Sequence, residues 1–168
     1  VSSAASDVYK RQLQLTGMIN DGSNAGDIGG TNDFHNDASD VALTGRVDTK
    51  LAGEWSQMKD FAAWDGEPFG AFLGGAVHYE VGETGDNQVA ATFDDVITWT
   101  VDGSVEISRF NLYAAGAGQH LNLPAAGSLD HYGLLIQGGY MVIPDTLETF
   151  ARYEWLDFES EDEITIIT

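Results

Sequence analysis

Residues 41–51 read VALTGRVDTKL, and their alternation decides the fold class. Val41, Leu43, Gly45, Val47 and Leu51 fall on one side of an extended chain. Thr44, Arg46, Asp48 and Lys50 fall on the other. A period of two belongs to a β-strand with one apolar and one polar face. The run exceeds the ~5–6 residues usual in globular sheets and approaches the ~9–11 that a tilted strand needs to cross a bilayer.

Working outward, the same rhythm recurs. Leu13, Leu15, Gly17 and Ile19 alternate with Gln14 and Thr16. Ala71, Leu73, Gly75, Val77, Tyr79 and Val81 oppose Gly70, Gly74, His78 and Glu80. Ile97, Trp99, Val101 and Val105 oppose Thr98, Thr100, Asp102, Ser104 and Glu106. Residues 111–120 form a strand too rich in Ala and Gly to assign a facing. Tyr132, Leu134, Ile136, Tyr140 and Val142 alternate with His131, Gln137 and Gly139, and Glu148, Arg152 and Glu154 share a face with Phe150. A further strand begins at Ile164. Only 54–68 interrupts the pattern: Trp55, Met58, Phe61 and Ala62 recur at helical spacing, which predicts one helical turn closed by Asp65-Gly66.

Connection lengths give the topology. Polar loops at 21–40, 82–90, 121–129 and 157–163 alternate with connections at 53–68, 108–109 and 143–146, two of them tight turns. This is the order of an all-β, antiparallel up-and-down meander of about seven or eight strands. Tyr79, Tyr132, Tyr140, Tyr153 and Trp155 sit near strand ends, where an interfacial aromatic girdle would lie.

Four segments carry a resemblance: TGRVDTKLAGEWSQMKDFAAW (44–64), NLYAAGAGQH (111–120), YGLLIQGGY (132–140) and TFARYEW (149–155). In order and spacing they resemble the phosphate-selective porin O and P family. The resemblance implies that 13–168 is a partial transmembrane β-barrel, about half of a porin of roughly 16–18 strands. It also implies a bacterial outer-membrane location, contact with outer-membrane lipid, a homotrimer when complete, and a water-filled channel passing small ions and solutes. Ser2–Gln12, SSAASDVYKRQ, resembles a translated sequencing-library adapter. Residues 1–12 are therefore expected to be non-native and to make few tertiary contacts, in an internal fragment of a longer protein.

Charge and composition exclude several classes. Twenty-seven acidic residues against seven basic ones give −20, which argues against a nucleic-acid partner. There is no cysteine, hence no disulfide, thiolate cluster or cysteine nucleophile. No GxSxG, HExxH or phosphate-cradling loop appears, so neither an enzyme nor a cofactor is predicted. Gly74-Gly75 and Gly138-Gly139 lie within strands and read as devices of curvature or close packing.

A porin would line its pore with the polar set. The basic candidates are Arg46, Lys50 and Arg152, and the acidic ones are Asp48, Glu80, Asp102, Glu106, Glu148 and Glu154. Three positive against six negative charges favour cations over phosphate. Alternatively, Arg46 and Lys50 simply pair with Asp48 or neighbouring carboxylates. Lys59 and Arg109 read as solvated. The loop bearing Asp21, Asp27, Asp33 and Asp37 offers oxygen ligands to Ca²⁺ but lacks EF-hand spacing. His35, His78, His120 and His131 show no paired ligand spacing.

The other reading is a soluble or surface-attached all-β binding module with acidic Ca²⁺- or sugar-binding loops. The two differ in the fate of Leu43, Val47, Leu73, Val77, Leu134 and Ile136. A barrel turns them outward, and a sandwich buries them between two sheets.

Overall fold

Alternation makes strands, and short connections make them pair with their neighbours in sequence. The computed structural model describes residues 2–8, 12–20, 39–59, 62–82, 94–123, 127–159 and 164–167. Nine strands run β1 (Ser2–Val8), β2 (Leu13–Asn20), β3 (Ser39–Ala52), β4 (Gly70–Gly82), β5 (Asp95–Ile107), β6 (Phe110–Leu123), β7 (Gly127–Ile143), β8 (Leu147–Phe158) and β9 (Ile164–Ile167). They form one antiparallel sheet in chain order. Ser108 takes a φ of 57° in the two-residue turn between β5 and β6, and Asp145 a φ of 52° in the hairpin between β7 and β8. Both are conformations that such turns require.

The sheet is open, and this corrects the barrel expectation. β1 and β9 are its two edges and do not pair with each other. A barrel requires that closing pair, with a matching shear and tilt. Substantial contacts run only between sequence-adjacent strands. The partial transmembrane barrel, the porin assignment, the channel, the outer-membrane location and the lipid and trimer partners are withdrawn with it. Among the described residues no helix is long and apolar enough to cross a membrane. The physical reason for the error is plain: period two specifies an apolar face and neighbour pairing, and neither encodes closure.

The N-terminal stretch also departs from expectation. Ser2–Val8 pairs residue by residue with Leu13–Ile19 of β2 instead of standing apart. The 53–68 connection holds a 3-10 turn at Gln57–Lys59, shorter than the helical spacing implied. Gly53, at φ 86°, lets it fold back, since a Cβ there would stand 2.8 Å from the Gly70 Cα. Gln57 is thereby laid on the polar face of the sheet.

Burial is inverted relative to an ordinary domain. Glu80 is 2% exposed and Asp48 5%, whereas Leu73 is 51% and Val77 54% exposed. Leu43, Val47, Leu134 and Ile136 are likewise exposed on the same face. No second sheet covers them among the described residues.

Candidate functional site: a groove on the polar face

Strand register builds the site. Asp48, Gly74, Asp102, Ala115, Leu135 and Glu154 are successive cross-strand partners, one residue from each of β3 to β8. Directly opposed residues share a face, so three carboxylates share one row with small or apolar residues between them. Arg46, two residues before Asp48, points to the same side. Its guanidinium reaches across β4 to Asp102, with Nη2 donating to Oδ1 at 2.7 Å and Oδ2 at 2.9 Å. Asp48 Oδ1 lies 2.6 Å from the same nitrogen as an ion pair. It lacks the alignment of a hydrogen bond and has no such partner among the described residues.

Gly74 makes this reach possible. A Cβ at Gly74 would collide with the Arg46 guanidinium and stand 2.7 Å from both Asp102 Oδ2 and Asp48 Oδ1. The guanidinium therefore lies flat over bare backbone. The hydrogen bond that Arg46 donates to Asp102 raises the Arg46 pKa above its ordinary value, and Asp48 adds to this against the opposing effect of burial.

The same device recurs twice. Gln57 Nε2 donates to Glu106 Oε2 at 2.8 Å above Gly70. Asn111 Nδ2 donates to Glu148 Oε1 at 2.5 Å above Gly139. Each glycine is the register partner of one member of the pair, Gly70 of Glu106 and Gly139 of Asn111. The in-strand glycines therefore serve close approach of side chain to backbone.

Beyond the Arg46–Asp102 bridge a groove of about 380 Å³ opens toward β8. Ala115, Ala117 and Gly133 floor it. Arg46, Asp102 and Tyr113 stand on one side, and Glu154 and Leu156 on the other. A Cβ at Gly133 would press to 3.1 Å from Leu156 Cδ2, so small residues keep the floor low. A second hollow of about 250 Å³ lies on the other side of the bridge, against Met58, Phe72 and Ser104. Burial, then the Asp102 charge, raises the Tyr113 pKa, so the phenol stays a neutral donor. Arg152 forms an ion pair with Glu154, and its buried Nε has no hydrogen-bond partner among the described residues.

All nine residues singled out from the sequence occupy this face, but only some converge. Arg46, Asp48 and Asp102 form one cluster, and Glu154 with Arg152 faces it across the groove. Lys50 turns away, 3.9 Å from Glu54 and 5.8 Å above the Trp55 ring. Glu80 accepts from His78 at 3.2 Å, while the other ring nitrogen bonds Thr44 at 2.7 Å. Glu106 and Glu148 are held by Gln57 and Asn111. Among the described residues the sheet does not close, so it forms no pore for them to line. Arg109 pairs with Asp65 at 3.1 Å, and Lys59 is exposed.

Sequence reasoning missed Tyr113, Gln57 and Asn111. The available signal was a glycine on the polar face of a strand flanked by strands carrying charge. The loop bearing Asp21, Asp27, Asp33 and Asp37 lies outside the described residues. Among the described residues no group of three His, Asp or Glu is arranged to hold a metal ion. Compared with known protein families, curated proteins and solved structures, the chain matches none, and the porin resemblance gains no support from them.

Proposed function

We propose that the chain is a binding module that takes a neutral, polyhydroxylated ligand of sugar type in the groove between Asp102 and Glu154. The observation that carries this is the groove's division of labour. Its floor is apolar, with Ala115, Ala117 and Gly133 beside Leu135, and its two ends present carboxylates already paired with Arg46 and Arg152. A pyranose has the same division, with a C–H face for Ala115, Ala117 and the Tyr113 ring and hydroxyls for the ends. Each arginine–carboxylate pair offers fixed donors and acceptors with little net charge, which suits a neutral ligand. The volume lies within the ~300–1,000 Å³ range of small-molecule sites.

Calorimetric titration with a panel of neutral mono- and disaccharides tests the reading. We expect binding with a Kd of about 1 mM or tighter, weakened at least ~10-fold by Ala117→Phe, which fills the floor. Absence of binding by every sugar, or binding indifferent to Ala117→Phe, would overturn it.

A further inference from the structure

We propose that the exposed apolar face is the self-association surface of the chain, covered by the same face of a second copy. This rests on the side of the sheet opposite the groove and is independent of what the groove binds.

Exposure on this face runs from 38% at Tyr153 to 65% at Leu51, over more than a dozen large side chains from β3 to β8. At roughly 200 Å² per large side chain, half exposed, the face presents on the order of 1,000 Å² of apolar surface. A monomer's largest apolar patch is ~300–600 Å², and a stable interface takes about 800 Å² from each partner. One such face therefore supplies what a dimer needs.

Charge identifies the occupant as another copy. The cross-strand rows from Gly75–Val101–Gly116–Leu134 to Ile107–Phe110–Tyr140 carry no carboxylate, lysine, arginine or histidine. Among the described residues the other strand carboxylates lie on the opposite face, Asp95, Asp130 and Asp157 form a rim at one end of this face, and the turns beyond its other end hold Asp65 and Asp145 beside Arg109. A partner of opposite charge would have nothing to pair with on the face. A second copy meets it neutral to neutral and keeps both sets of carboxylates outward. A two-fold axis lying in the interface across the strands sets each rim over the partner's apolar rows at Ile107, Phe110 and Tyr140, near Arg109 and away from the partner's own rim. Such an interface is isologous, and the two sheets pack about 10 Å apart.

Surface relief supports self-complementarity. Gly17 and Gly45 are cross-strand partners, and a Cβ on either would meet nothing within 4 Å. They form a trough beside the ridge of Leu43, Val47 and Val77, into which a partner's ridge fits.

Sedimentation equilibrium of the full chain, with and without phosphatidylcholine vesicles, tests this. We expect a species of twice the 18.1 kDa chain mass. Val77→Asp should weaken its dissociation constant at least ~100-fold. Gly45→Phe, which the monomer has room to accept, should weaken it at least ~10-fold with unchanged circular dichroism. A wild-type chain that stays monomeric at about 100 μM, far above the Kd of ordinary specific complexes, would overturn the proposal. So would a dimer indifferent to both variants, open-ended association through the sheet edges, or a monomer that partitions onto the vesicles instead of dimerising.

Discussion

On one face of the sheet charged side chains are buried, and on the other apolar side chains are exposed. Glu106 and Asn111 are each 4% exposed, while Leu112, the residue after Asn111, is 41% exposed. The difference teaches that burial here follows side-chain posture and not hydrophobicity. Polar side chains lie down across glycines and cover one another, satisfied by pairing. Apolar side chains stand up from the pleat with nothing above them. Stability within a single copy therefore resides in the polar face, and the apolar face contributes mainly when it is covered.

The largest expected effect attacks the polar face at its lowest point. Gly74→Leu places a side chain where the Arg46 guanidinium lies, between Asp48 and Asp102. Displacing the cation leaves two acidic groups facing each other across β4. We expect a loss of about 3 kcal/mol in urea unfolding, toward the figure for breaking a buried ion pair. Arg46→Ala should cost less, about 2 kcal/mol, because the Arg46 side chain is 30% exposed and its charge partly screened. If either variant unfolds like the wild type, the polar face is not the stabilising side.

The contrasting variant is Ile136→Thr, on the exposed face. Threonine keeps β-propensity, and an exposed site away from caps and turns usually changes stability by under ~0.5 kcal/mol. In dilute, monomeric protein we expect that small figure. A loss above about 2 kcal/mol there would erase the comparison, because it would mean that Ile136 already packs within one copy.

How much of this was legible in the sequence follows from what period two encodes. The alternation through Leu43, Val47, Leu73 and Val77 placed strands and faces, because side-chain direction is a local property. Connection lengths such as Ser108-Arg109 placed neighbours side by side. Closure was not legible, since it depends on shear and on whether β1 meets β9. The groove was half legible. Arg46, Asp48, Asp102 and Glu154 stood out as polar-face residues, but their gathering depends on a register of five consecutive pairings that no single strand reveals. Tyr113 stayed hidden because the stretch that follows it in β6, 114–118, is all Ala and Gly, and that same smallness creates the groove floor at Ala115 and Ala117.

The smallest effect sharpens the boundary between faces. His120 Nδ1 lies 2.8 Å from Asp130 Oδ1 at the rim of the apolar side. The hydrogen bond that His120 donates to the Asp130 carboxylate raises the His120 pKa above its ordinary value. A raised folded-state pKa means that the contribution is complete below the unfolded-state value and is lost as pH rises through the folded-state one. An NMR titration should place His120 above the usual ~6.5, and Asp130→Asn should bring it back. An unshifted His120 would remove Asp130 as its partner and loosen this rim.

The most direct test of the central claim is chemical-shift mapping of the ¹⁵N-labelled chain during titration with a neutral sugar that binds it. The account requires perturbations at Arg46, including its side-chain Nε–Hε, and at the amides of Asp102, Tyr113, Ala115, Ala117 and Glu154. Leu43, Val77 and Ile136 should stay unmoved. Perturbations confined to the apolar face or the outer loops, with the groove silent, would contradict it.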